Sequence, residues 1–184
     1  PRGRVFVADT DNHRVQVLTK DGQYVRTFGV TRESGIGNHQ FTNPRGVCVE
    51  PGPDGRHVYV SDYGNERVQV FTKDGQFISA WGERGSESGQ FEGPWGLALT
   101  GAGDIYISDW GNNRIQRYDS DGKLIEEFTG LSKGDAIHRP AGLAADEEGN
   151  VYIADWGNEQ VGSSGNFNCD ESIEYGGGQA DTYW

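Results

Sequence analysis

The chain has 184 residues, a formal charge of −12 and only 34% hydrophobic residues. That length suits one domain with at most a small second one, built around an economical core. The acidic balance argues against nucleic acid as the main partner, because phosphate binding needs a basic field. No apolar run approaches the ~18 residues of a membrane helix, so no membrane insertion is expected. Glycine supplies 29 residues, about twice the ordinary ~7% share, which implies many turns. Methionine is absent, as expected of a processed chain or a piece of a longer one.

In chain order, "VFVADTDNHRVQVLTKDGQYVRTFG" (Val5 to Gly29) recurs as "VYVSDYGNERVQVFTKDGQFISAWG" (Val58 to Gly82). It returns as "IYISDWGNNRIQRYDSDGKLIEEFTG" (Ile105 to Gly130), and in part as "VYIADWGNEQV" (Val151 to Val161). Before the last three copies stand "NPRGVCVE", "GPWGLALT" and "RPAGLAAD", each a Pro-x-Gly leading into an apolar run.

Each period reads as four strands. The first is the run after Pro-x-Gly (Val47 to Val49, Leu97 to Leu99, Leu143 to Ala145), continuous enough to be buried on both faces. The second is the alternating "VYVSD" type, the third "RVQVFT", and the fourth "QFISAWG". Asp-Gly between the third and fourth (Asp21-Gly22, Asp74-Gly75, Asp121-Gly122) predicts a tight hairpin of type I′. Four antiparallel strands repeating every ~45 residues predict an all-β fold, a β-propeller with four-stranded antiparallel blades. The blade segments are about 1–29, 44–82, 94–130 and 140–161, followed by an acidic, Gly-rich tail over 162–184 in which "GSSG" reads as linker. Cys48, in the run "GVCVE", is expected to pack as a small core residue, and a disulfide with Cys169 stays open.

Pro-x-Gly, an alternating run ending in Asp, Gly-Asn-x-Arg-(Ile/Val)-Gln, Asp-Gly and a closing aromatic-Gly together resemble the NHL-repeat propellers. "DTDNHRVQV" (Asp9 to Val17) carries the Asn-His pair itself. The resemblance covers Val5 to Val161. It implies a ring of usually six blades, of which this chain holds about three and a half, an incomplete ring as given. Further blades or another chain would complete it.

Asp9, Asp62, Asp109 and Asp155 are equivalent, as are Asn12, Asn65, Asn112 and Asn158. Arg14, Arg67 and Arg114 are also equivalent, with Gln160 in the last copy. A catalytic or metal site is singular, so a feature present once per blade serves the blade. We expect an Asp–Arg bridge across each turn, with Asn accepting an unusual turn geometry. "DSDG" is not an EF-hand loop: counted from Asp119, the twelfth position is Gly130, which carries no ligand.

The variable positions point to function. Tyr63, Trp110 and Trp156 follow the motif Asp, and Arg45 and Trp95 stand inside Pro-x-Gly. In a four-stranded meander both positions lie on one loop face. A face rich in Trp and Tyr suits a protein partner, the competing reading being that these rings pack between blades. The expected function is therefore a non-catalytic protein-interaction scaffold, with no metal and no cofactor. Some related propellers are lyases or lactonases that hold a metal in the central channel, so a metal-dependent lyase or hydrolase is the alternative. A structural subunit of a larger assembly is the third reading. The inner strands offer no His, and His13, His39, His57 and His138 occupy non-equivalent places, the loop face being expected to hold all but His57. Some NHL domains bind RNA on a basic loop face. Here Arg32, Arg45, Arg84, Lys133 and Arg139 are mixed with Glu33, Glu66, Glu83, Glu87, Asp135 and Glu159, and no basic stripe emerges.

Overall fold

Alternating apolar residues bounded by Asp, Gly and Pro fold into four antiparallel sheets in a computed structural model. It describes residues 3–50, 57–131, 134–146 and 148–164. The first sheet is β1 (Arg4–Asp9), β2 (Arg14–Thr19) and β3 (Tyr24–Phe28). The second is β4 (Pro44–Val49), β5 (His57–Asp62), β6 (Arg67–Thr72) and β7 (Phe77–Trp81). The third is β8 (Pro94–Leu99), β9 (Ile105–Asp109), β10 (Arg114–Tyr118) and β11 (Leu124–Phe128). The fourth is β12 (Pro140–Ala145), β13 (Val151–Asp155) and β14 (Gln160–Ser164). Within each sheet the strands pair in chain order as a meander.

The second strand of each blade carries the core. Its alternation sends odd and even residues to opposite faces, so one strand serves two blade interfaces. Val58 and Val60 of β5 pack with Val15, Val17, Phe28 and Phe41 toward the first sheet. Tyr59 between them packs with Val70, Phe91, Ile105 and Ile107 toward the third. Tyr106 of β9 in turn packs with Ile115, Val151 and Ile153 toward the fourth. The double burial expected of the first strand holds in the third sheet, where β8 is buried or half-buried throughout, and the second strand shares it. β9 is buried throughout, whereas β12 alternates between buried or half-buried and more open positions. The physical reason is position: β8 lies between the first strands β4 and β12 of its two neighbours, whereas β12 has such a neighbour on one side only among the described residues. The outermost sheets show the same parity, with Val5 45% and Tyr152 42% exposed on their outer faces.

The Asp-Gly hairpins differ from the expected type I′. Only Gly22, Gly75 and Gly122 have positive φ (79°, 88° and 81°). The Gly22 N–H donates to the Thr19 carbonyl, and the Thr19 N–H to Gln23 O. This is a three-residue loop with Gly in the left-handed position, so only one residue needs that conformation. In the third sheet Asp119 Oδ1 also accepts the Asp121 and Lys123 N–H groups and closes the turn. Each fourth strand then bulges by one residue at Val25, Ile78 or Ile125. A bulge on the outer edge strand bends it away from further pairing.

β14 continues three residues past Val161, through Ser164, so the first part of "GSSG" pairs with β13 and is not linker. The rest of the tail, with Cys169 and its open disulfide, lies outside the described residues. Cys48 pairs opposite Tyr59 and packs against the second core cluster as a half-buried free thiol. Burial, aided by the Glu50 charge, pushes it up to about 12, so the thiol stays protonated at neutral pH.

Candidate loop-face binding surface

At the end of each second strand, the repeated Asp organises a clamp. Asp109 is fully buried. Its Oδ2 accepts Arg114 Nε at 2.8 Å, Asn112 Nδ2 at 2.9 Å and Gln116 Nε2 at 3.2 Å. Its Oδ1 accepts the Glu92 N–H at 2.7 Å. Arg114 also donates to the carbonyls of Ser86, Glu87 and Gln90, and Asn112 to Gly85 O. The Asp–Arg bridge thus does more than close a turn: it holds the inter-blade loop that precedes it. Asp62, with Arg67, Asn65 and Gln69, repeats the arrangement on the loop at Gly35 to Thr42. Asp155 accepts Asn158 and the His138 N–H. Phe41 and Phe91, which end these loops, are fully buried. Each of these two loops therefore ends as a plug of the core, at the recurring Gln-Phe (Gln40-Phe41 and Gln90-Phe91).

The unusual turn geometry falls not on Asn but on the next residue. His13, Glu66, Asn113 and Glu159 have φ of 53°, 54°, 55° and 54°. The Asn amide is committed to Asp and the preceding loop, so the left-handed residue is the one after it. Its side chain then staples the next blade: His13 Nδ1 accepts the Asn43 N–H, Glu66 Oε2 the Gly93 N–H and Asn113 Oδ1 the Arg139 N–H. Burial pushes the Glu66 carboxyl above its usual range, against the Gly93 hydrogen bond.

Asp9 is the most open of the four carboxylates. Burial alone would raise it, but hydrogen bonds from Asn12, Arg14 and Gln16, with the Arg14 charge, outweigh burial and hold the carboxyl low. A folded value below the unfolded one stabilises the fold above the ordinary value of 3.8, and this is lost as pH falls below it. Asp9→Asn should therefore reduce the drop in melting temperature between about pH 7 and about pH 3. Parallel melts of variant and wild type across that range check this.

Four of the five variable residues singled out in sequence meet in one row. Arg45 sits over the Tyr63 ring at 5.2 Å and the Trp95 ring at 4.3 Å. Tyr63 meets Trp95 edge to face at 5.7 Å, and Trp95 meets Trp110 at 6.1 Å. Arg139 lies over Trp110 at 5.0 Å. The three rings are half-buried, while both arginines are exposed. They therefore pack between blades and also present one surface. Trp156 is 62% exposed and makes no ring contact within the row among the described residues. Arg139 was legible only as a loop charge, because its partner Trp110 is distant in sequence.

The histidines do not converge. His13 is the staple acceptor, and His57 Nδ1 meets Glu50 Oε1 at 2.7 Å at the opposite end of β5. His39, expected on the loop face, instead packs against Phe71 and Phe77 beside the second hairpin, because its loop dips into the core. Among the described residues no group of three or more His, Cys, Asp or Glu is arranged to hold a metal ion, and no helix is long and apolar enough to cross a membrane.

Consecutive antiparallel sheets of three or four strands, joined by Asp-centred clamps, define an NHL-type β-propeller array. Residues 1–131 match the SMP-30/gluconolactonase/LRE-like region, and the chain belongs to that family. The chain is 37% identical over 105 residues to the peptidyl-glycine alpha-amidating monooxygenase of Mus musculus, covering 53% of this chain and 10% of that protein. It is 35% identical over 91 residues to NHL repeat-containing protein 3 of Homo sapiens, covering 47% of this chain and 24% of that protein. A solved streptogramin B lyase superposes with a TM-score of 0.62 at 17% identity, over 89% of this chain and 48% of that one. The chain thus spans a quarter or less of these two curated relatives and about half of the lyase chain.

Proposed function

We propose that the chain is a non-catalytic interaction scaffold that binds a protein partner through its loop face. The observation that carries this is the row Arg45–Tyr63–Trp95–Trp110–Arg139. It is continuous across two blade interfaces and built at positions where the repeats differ, while the repeated positions are occupied by the clamp. Aromatic and arginine side chains are the residue types that dominate binding energy in protein interfaces. Selection of a displayed peptide library on the immobilised chain tests it. Trp110→Ala should lose the peptides that the wild type recovers, with its melting transition kept, whereas Trp156→Ala should retain them. Peptides recovered equally by Trp110→Ala would sink the reading.

The monooxygenase and lyase likenesses favour a second reading, a metal-dependent lyase or hydrolase. It rests on those relatives alone, and stoichiometric zinc or calcium in the purified chain would carry it.

A further inference from the structure

Two guanidinium groups on the loop face are held flat and left chemically unspent. Arg45 stacks on Trp95 and Tyr63, and Arg139 stacks on Trp110. Both are exposed, and among the described residues neither guanidinium makes a hydrogen bond or an ion pair. Arg14, Arg67, Arg114 and Arg117 show the contrast, each being committed to a carboxylate within the fold. Stacking occupies the flat face of a guanidinium and leaves its N–H edge free. That edge is a fixed fork whose geometry matches a carboxylate. The stack also removes rotamer freedom before any ligand arrives, so less ordering is required on binding.

We propose, resting on the loop-face reading above, that this row binds an extended acidic peptide segment of a partner protein. One carboxylate meets Arg45, a second meets Arg139, and apolar or aromatic side chains between them cover Trp95 and Trp110. Centroid steps of 4.3, 6.1 and 5.0 Å link the two guanidinium groups through the two indoles. They bound the separation at about 15 Å. At roughly 3.3 Å per residue, an extended strand places carboxylates up to four residues apart within that span. The neighbouring Glu66 is half-buried and its Oε2 is taken up by the Gly93 N–H. The chain's charge of −12 opposes an acidic ligand at long range, but salt screens this beyond about 8 Å at physiological ionic strength. Recognition therefore depends on contact with the two forks.

Isothermal titration calorimetry with the unlabelled peptide acetyl-Gly-Glu-Leu-Tyr-Leu-Glu-Gly-amide tests the proposal, beside the same peptide with both Glu replaced by Gln. The expected result is at least tenfold tighter binding of the Glu peptide, with Arg45→Gln and Arg139→Gln each removing most of that advantage. Both arginines are exposed, so thermal melts should show the variants folded. Equal affinity for the Glu and Gln peptides, unchanged binding by both Arg variants, or no binding of either peptide would overturn it. So would tighter, arginine-dependent binding of a single-stranded oligouridylate, which would assign the row to nucleic acid. If library peptides still depend on Trp110 while no carboxylate preference exists, the loop-face reading stands and the acidic partner falls. If neither dependence exists, both fall.

Discussion

Asp109→Ala is expected to destabilise the array by about 3–5 kcal/mol, the cost of leaving one partner of a buried ion pair alone. Arg114 is almost as buried as Asp109, so its charge would lose its only fully buried counter-ion without gaining water. The substitution also strands Asn112 Nδ2, Gln116 Nε2 and the Glu92 N–H, each of which donates to that carboxylate. The lost contacts extend beyond the turn, because Arg114 and Asn112 hold residues 85 to 90 against the third sheet. Urea titration of wild type and variant gives the number, and amide exchange locates it. The 85–91 loop should lose protection with β9 and β10, while the first sheet changes least. A loss below about 1 kcal/mol, the scale of an exposed pair, would show that the clamp is ornamental.

Gly96→Ala is expected to cost about 3 kcal/mol, at the upper end of overpacking effects. A Cβ there would overlap the Ala141 carbonyl oxygen and crowd the Leu143 backbone N, both belonging to β12. Backbone on both sides leaves no flexible side chain to yield. The same contact recurs one blade earlier, where a Cβ on Gly46 would stand 2.5 Å from the Trp95 carbonyl oxygen. Those two carbonyls also accept hydroxyl hydrogen bonds from Ser108 and Ser61, whose oxygens in turn accept the N–H of Gly96 and Gly46. Gly142 is the control: its nearest neighbour would be Ala154 Cβ at 3.7 Å, an ordinary contact. Gly142→Ala should therefore be close to neutral in the same thermal melts, although it occupies the equivalent place in its repeat.

Much of this architecture was legible because propeller blades obey local rules. Alternation identified the strands, Asp-Gly the hairpins, and repetition separated scaffold positions from variable ones. Two misreadings, the turn type of the Asp-Gly hairpins and "GSSG" as linker, are local, whereas the strained turn residue depends on contacts between blades, which a single repeat does not encode. The run "GVCVE", expected to be buried on both faces, is half-buried along most of β4, while β5 beside it is buried along nearly its whole length. Asn112 looked like the strained turn residue, but its amide is claimed by Gly85 O from the preceding loop, and Asn113 takes the left-handed backbone. The Gly of Pro-x-Gly was visible as a constant, whereas its reason, contact with the next first strand, needed the neighbouring sheet. At the candidate site, Arg45, Tyr63, Trp95 and Trp110 could be placed on one face by topology. Arg139 could not be ranked above other loop charges, since only the fold sets it over Trp110. Trp156 follows its Asp as Trp110 does, but stands apart from the row.

The most direct measurement is the affinity of one library-selected peptide for wild type, Trp110→Ala and Trp156→Ala, each first shown to be folded by its melting transition. If the row is the binding surface, Trp110→Ala should weaken the complex by at least about thirtyfold, the scale of a hot-spot truncation, and Trp156→Ala should change it by less than about threefold. Equal affinity for wild type and Trp110→Ala would contradict the account and leave the row as inter-blade packing alone.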